Sequence, residues 1–389
     1  MTDSAAVPAS VAQVRATARR VAHEVLAPHS DAVDREGRWP AEGMRALGEA
    51  GLLGLTVSTD DGGHGQGMQG LAAATEELGR VCGSTGLVFG MHCVAAKVID
   101  VGATPDQRHR YLGPIVAGEH VTSLALSEPG TGVHFYLPRA TYRPKGEAFV
   151  VNGHKSFVTS GGHADSYVAS VVGAHADLDP GTFSCLVVDR GTPGTSWAAP
   201  WDGLGMRGNS SRSLLLEDAD VPRANLLGTE GDETWYLFEV ITPYFLVAMA
   251  GTYLGVAQAA LEATVDHLRE RAYTHTGEQV GAADTVAHRL GELWIAVERA
   301  RQLLFHAARL GDAGHPDART ALFACKAEVA DAGVHVANEA MTLSGGRGYA
   351  SDGILGRALR DVRAAHVMAP STDLLKTWLG RSLLDLPLL

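Results

Sequence analysis

The chain has 389 residues, 46% of them apolar and 20% charged, with a formal net charge of −12 at pH 7. Its length allows two or three packed sub-domains around a shared core, and its charge disfavours a polyanion-binding surface overall while leaving room for a local basic pocket for one phosphate. No run of about 18 apolar residues argues for a membrane span, and the first twenty residues lack the apolar stretch of a secretory signal, so a cytoplasmic location is expected.

From Ala9 to about Gly118, apolar residues recur at helical spacing, as at Val11, Val14, Ala18, Val21 and Val25, which predicts an all-helical domain over 1–120. Composition changes after His120. "VTSLALSE", "AFVVNGHKSFVTSG", "SYVASVVGA", "TFSCLVVD" and "RSLLLEDADVP" are short, rich in Val, Thr, Phe and Ser, and separated by Gly, Pro and Asp. They predict a β domain over 121–228, with Asn152-Gly153 as a two-residue hairpin turn. The helical period returns near Asp232 and persists, predicting a helical domain over 229–389. Its first long helix, in "PYFLVAMAGTYLGVAQAALEATVDHLRERAY", carries small residues that permit close helix packing. The class is α+β, in the order α, β, α.

Standard catalytic signatures are absent. The glycine-rich pieces "DDGGHGQG" and "SGGRGYASDG" fit no dinucleotide-binding turn and read as loops. Seventeen histidines form no H-E-x-x-H cluster, so no metal is expected, and no G-x-S-x-G elbow occurs. Cys82, Cys93, Cys185 and Cys325 are too scattered for a disulfide framework and read as buried thiols.

The order of longer motifs resembles the acyl-CoA dehydrogenases. "LGEAGLLGLTVSTDDGGHG" is similar to the family's N-terminal helix and Gly-Gly loop, and "LALSEPGTG" to its flavin loop T-E-P-x-A-G. "VVNGHKSFVTSGG" is similar to N-G-x-K-x-W-I-T-N-G, and "GLGMRGNSSRSLLLEDADVPRANLLG" to the stretch closing the middle domain. "LSGGRGYASDGILGRALRDVRAAHVM" is similar to the C-terminal G-G-x-G-Y…R-D segment. The resemblance implies a helical N-terminal domain, a β-barrel-like middle domain and a C-terminal four-helix bundle. FAD would lie between the last two, in a homodimer or homotetramer. By position, Ser127, Thr131, Gly132, Phe157 and Thr159 would contact the flavin or its chain. Arg271 would reach a pyrophosphate across the dimer, Gly345 and Gly346 would face the cofactor, and Ser371 and Asp373 would meet its ribose end.

The substrate side departs from the family. The glutamate that opens the family's E-G-T, the base that takes the α-proton of a thioester, corresponds to Ala369, followed by Pro370. The alternative seat on the long helix reads Tyr244-Phe245, a further aspartate is Thr242, and the serine and aspartate of G-S-D are Val133 and His134. Alanine still offers a backbone N–H to polarise a carbonyl. Three readings follow. One is dehydrogenation of a CoA- or carrier-bound acyl thioester by a relocated base, with His134 the best candidate by analogy, Tyr244 needing a strongly lowered pKa, and His92 expected rather to line the acyl pocket. Another is a flavin-dependent monooxygenase served by a reductase, and the third a non-catalytic subunit of a hetero-oligomer.

Overall fold

The computed structural model describes residues 10–173, 183–231 and 235–389. The first nine of the twenty residues read for a signal lie outside them, as do Ala174 of "SYVASVVGA", Thr182 of "TFSCLVVD" and the Asp232 boundary.

The N-terminal helices are α1 (Val11–Val21), α2 (Ala27–Glu36), α3 (Ala41–Glu49), α4 (Met68–Val81) and α5 (Gly83–Gly102), followed by the short α6 (Pro105–Gln107) and α7 (Gly113–Val116). Ser10 starts α1 by accepting the Gln13 N–H on its side chain, and Gly37 stops α2 in the left-handed conformation. The C-terminal helices are α8 (Thr242–Glu270), α9 (Asp284–Asp312), α10 (Ala318–Gly348), α11 (Ile354–Val367) and α12 (Thr372–Leu383). α8 packs on α4 closely because both present glycines at the crossing. A Cβ at Gly255 would collide with the Glu76 carbonyl oxygen, and one at Gly79 with that of Thr252.

Two helical stretches, Gly83–Gly102 and Tyr236–Glu270, are long and apolar enough to cross a membrane by length and composition, which the search for unbroken apolar runs missed. In each the most apolar window is 83% buried inside the protein, the setting of a core helix. The four cysteines are buried and free.

Against α5 of the N-terminal helices lies one sheet built from β1 (Thr122–Ala125), β2 (Thr141–Lys145), β3 (Ala148–Val158), β4 (Ser166–Gly173), β5 (Ser184–Asp189), β6 (Thr195–Trp197), β7 (Arg212–Pro222) and β8 (Leu226–Leu227). The order is β6-β7-β3-β2-β4-β5-β8, with β1 parallel to β4. β4 and β5 read as continuous apolar runs because both their faces are covered. Val168, Cys185 and Val187 join the helical core, while Tyr167, Ala169, Leu186 and Val188 fill a second core with Tyr142, Phe149 and Leu214.

The hairpin turn is displaced from its predicted place. β2 pairs with β3 from Thr141–Asn152 to Lys145–Ala148, so the two-residue turn is Gly146-Glu147, with Gly146 at φ 59°. Asn152-Gly153 instead sits at an irregularity in the β3–β7 ladder, where Asp218 takes a positive φ and exchanges hydrogen bonds with the Asn152 side chain. The sequence "NG" marks a site of unusual backbone in both readings; the strand β2, with Pro144 in it, was invisible to propensity.

Candidate active site

A cavity of about 710 Å³ opens where the sheet domain meets the start of α8 and the α11–α12 break. Its sheet-side wall is the loop after β1 and the end of β3, which bring Ser127, Gly132, Phe157 and Thr159 to the lining. Thr131 lies beside them, its hydroxyl donating to the Glu128 carbonyl at 3.0 Å.

This loop is fixed by a buried ion pair. Lys155 Nζ donates to Glu128 Oε1 at 2.6 Å and to Ser170 Oγ at 3.1 Å. The N–H groups of Arg139 and Ala140 donate to the two Glu128 oxygens at 2.8 and 3.1 Å. Burial pulls the Lys155 pKa down, and the Glu128 carboxylate opposes that fall. With its remaining oxygen valence met by backbone N–H groups, the pair satisfies the condition under which a buried ion pair is tolerated.

Facing it is the loop 201–211, held from the helices. Asp361 Oδ1 accepts the Met206 N–H at 2.6 Å, Ser84 Oγ accepts that of Gly208 at 3.1 Å, and Arg360 pairs with Asp34 while donating to the Leu204 carbonyl. Burial raises the Asp361 pKa to about 6. Among the described residues, four of the six non-glycine positions with positive φ are Phe157, Ser160, Met206 and Ser210, all in these two facing segments. Such strain gathers where a ligand has to be gripped.

The third wall is the break itself. Val367, Met368, Ala369 and Pro370 line the cavity, and the Ala369-Pro370 peptide is cis. Behind it, the fully buried Lys326 donates to the carbonyls of Ala365 at 2.6 Å, Pro370 at 2.9 Å and Met368 at 3.4 Å. Burial lowers the Lys326 pKa to about 8. Ser371 caps α12 by accepting the Leu374 N–H, and Asp373 is exposed in its first turn. Lys326 and Asp361 escaped the sequence reading, although each is a charge on an otherwise apolar helical stripe, Leu322-Lys326-Val329 and Ala358-Asp361-Ala365.

The candidate bases do not converge on the cavity. His92 is fully buried and donates from Nε2 to the Leu53 carbonyl at 2.9 Å while Nδ1 accepts the Thr122 N–H at 3.1 Å. Both nitrogens are spent, and burial lowers its pKa to about 4. Tyr244 lies outside the lining, and burial raises its pKa to about 12, opposite to what a base requires. His134 is exposed two residues from the lining Gly132, its Nδ1 at 2.5 Å from the Tyr136 hydroxyl. The ionisable residues that do line the cavity are Glu128, already saturated, and the cations Arg360 and Arg363, which accept no proton.

The remaining predicted cofactor residues form a separate group. Arg271 ends α8 at the surface, and Arg271 and Arg347 both act on His267, which places Arg271 at the same end of the bundle as Gly345 and Gly346. Gly345 breaks the α10 helix with φ 58°, and both glycines are exposed.

Residues 9–119, 123–219 and 246–384 match the acyl-CoA dehydrogenase N-terminal, middle and C-terminal domains. The chain is 31% identical to a mitochondrial isovaleryl-CoA dehydrogenase of Oryza sativa over 95% of its length and 90% of that protein's. It is 30% identical to a short-chain-specific acyl-CoA dehydrogenase of Clostridium acetobutylicum over 93% and 95%. The crystal structure of an acyl-CoA dehydrogenase from Geobacillus kaustophilus superimposes with a TM-score of 0.89 at 27% identity, covering 98% of this chain and all of that one. The chain therefore belongs to the acyl-CoA dehydrogenase family; it is a flavoprotein oxidoreductase, and FAD is its cofactor.

The cavity fits such a group. Gly130 and Gly132 have positive φ and open space where a Cβ would stand, leaving a bare backbone cradle. Phe157 and Trp201, at 62% and 57% exposure, present aromatic surface at its edge that a planar ring system would cover.

Proposed function

We propose that the protein oxidises an acyl group held as a thioester on CoA or a carrier protein, with a base other than the family's glutamate. The observation that carries this is the placement of Ala369: it lines the same cavity as the flavin-loop residues Ser127 and Thr159. Relatives named for isovaleryl-CoA and short-chain acyl-CoA support a thioester substrate.

Bound FAD supplies the hydride acceptor. Ser127, Gly132, Phe157 and Thr159 would hold it from the sheet side. The Ala369 N–H, whose neighbours Lys326 clamps, would polarise the thioester oxygen. His134 is the candidate base with a ring nitrogen to spare, since its Nδ1 alone is engaged by Tyr136. Arg271 with Gly345 and Gly346 forms a surface for a second copy's cofactor, consistent with a homodimer or homotetramer, and an electron-transfer protein or reductase completes turnover.

The test is anaerobic mixing of the FAD-loaded protein with CoA and pantetheine thioesters. Flavin bleaching is expected, and His134→Ala should slow it by about 10²-fold or more. A second reading, a monooxygenase using reduced flavin and O₂, is favoured by one observation: no cavity-lining side chain among the described residues is an unengaged carboxylate or imidazole. Absence of bleaching by every thioester, with O₂-dependent incorporation of one oxygen atom into an amine or sulfide, would decide for it.

A further inference from the structure

Buried threonines in the long helices dispose of their hydroxyls in the ordinary way. Thr75 donates to the Leu71 carbonyl at 2.8 Å, Thr252 to Ala248 at 2.9 Å and Thr264 to Ala260 at 2.9 Å. This bond to the carbonyl four residues back is the default where apolar packing offers no other acceptor.

Thr242 departs from that habit. It opens α8 directly after the π-helical turn Tyr236–Ile241, where the wider i→i+5 winding departs from the regular four-residue spacing. The residue is 4% exposed, and its Oγ1 has no hydrogen-bond partner. Among the described residues other buried side-chain atoms lack partners too, but Thr242 is the one of them that lines the cavity. A buried hydroxyl left unbonded costs the fold that group's full desolvation, so a site that retains one has a use for it when filled.

The occupant is indicated by the neighbours. The polar residues suited to the cofactor come from the sheet domain and the α11–α12 break. Thr242 comes instead with Ile241 and Phe245 from the start of α8 and Met91 from α5, the part of the lining where a hydrocarbon would seat. A plain alkyl chain would bury against these residues and leave the hydroxyl stranded.

We infer that Thr242 is a specificity-determining residue whose hydroxyl hydrogen-bonds a polar atom within the acyl group, so that the protein takes a heteroatom-bearing acyl thioester in preference to a plain alkyl one. The inference rests on the thioester reading above and narrows its substrate to acyl groups carrying a hydroxyl, amine or carbonyl beyond the thioester itself.

The test pairs binding with melting. FAD-loaded protein is titrated with butyryl-CoA and with its hydroxybutyryl and aminobutyryl counterparts, followed by the flavin spectrum. Wild type should bind at least one heteroatom-bearing probe about tenfold tighter than butyryl-CoA. Thr242→Val should erase that preference with butyryl-CoA affinity kept, and Thr242→Ser should restore it. Without any thioester, Thr242→Val should melt about 1–2 °C above wild type, because the stranded hydroxyl is gone. A wild type that prefers butyryl-CoA over all the probes overturns the inference, as does a preference that survives Thr242→Val. Should no thioester bind at all, the thioester reading itself fails. The melting comparison still decides the role of the hydroxyl, and a valine variant less stable than wild type overturns it.

Discussion

On the sheet side of the cavity a carboxylate is present and fully occupied: Glu128 receives an ammonium and two backbone N–H groups. On the helix side the lining residue Ala369 offers no carboxylate, and what stands behind the break is a cation, Lys326, bonded to three carbonyls. The contrast teaches that the two walls answer to different demands. The sheet wall must hold one cofactor in one register, so its polar groups are paired with each other and unavailable for chemistry. The helix wall presents the uncharged Val367, Met368, Ala369 and Pro370 on a break whose carbonyls Lys326 ties down.

The largest effect should come from putting the missing group back. Ala369→Glu places a carboxylate in the cavity lining, where a proton-accepting side chain typically contributes about 10²–10⁴-fold. Anaerobic bleaching of the flavin by butyryl-CoA is expected to accelerate by that order. If the rate is unchanged, the break does not present residue 369 to the substrate, and the two walls do not share one reaction site.

Breaking the sheet wall is the complementary experiment. Lys155→Met leaves Glu128 buried with two N–H donors and no countercharge, and removing one partner of a buried pair costs about 3–5 kcal/mol. Urea unfolding should register that loss, accompanied by poorer FAD retention, since the Glu128 network fixes the loop carrying Ser127 and Gly132. A variant of wild-type stability would mean that the loop is held by packing alone.

The asymmetry between the walls also explains what was legible in the sequence. The α, β, α order and the runs that became β4 and β5 follow from periodicity and burial, both local properties. Ser127, Gly132, Phe157 and Thr159 were named from motifs similar to the family's, and all four line the cavity. The helix wall was readable only as departures, at Ala369, Tyr244-Phe245 and Thr242. That Thr242 keeps an unbonded hydroxyl, that Asp361 holds Met206 across 155 residues of chain and that Arg360 reaches Asp34 across 326 are products of tertiary packing. His92 misled for the same reason: nothing in "FGMHCVA" tells that Leu53 and Thr122 will consume both of its nitrogens.

The smallest of the three effects concerns the carboxylate that does occur on the helix side. Asp361 is buried like Glu128, but no ammonium meets it; the Met206 N–H is its hydrogen-bond partner, Asp34 adds a like charge, and Arg357 and Arg360 act from further off. Burial, the leading cause, sets its folded pKa at about 6, above the value of about 3.9 in an unfolded chain. Between those values the folded protein holds a proton that the unfolded chain releases, so the stabilisation is present below about pH 4 and is lost as pH rises towards 6. The loss amounts to about 2–3 kcal/mol. Asp361→Asn keeps an oxygen for the Met206 N–H and has no proton to lose. Its stability relative to wild type, from urea unfolding at pH 4 and pH 7, should therefore improve by about 2–3 kcal/mol across that interval. A difference independent of pH would show that Asp361 is already ionised at pH 4 in the fold.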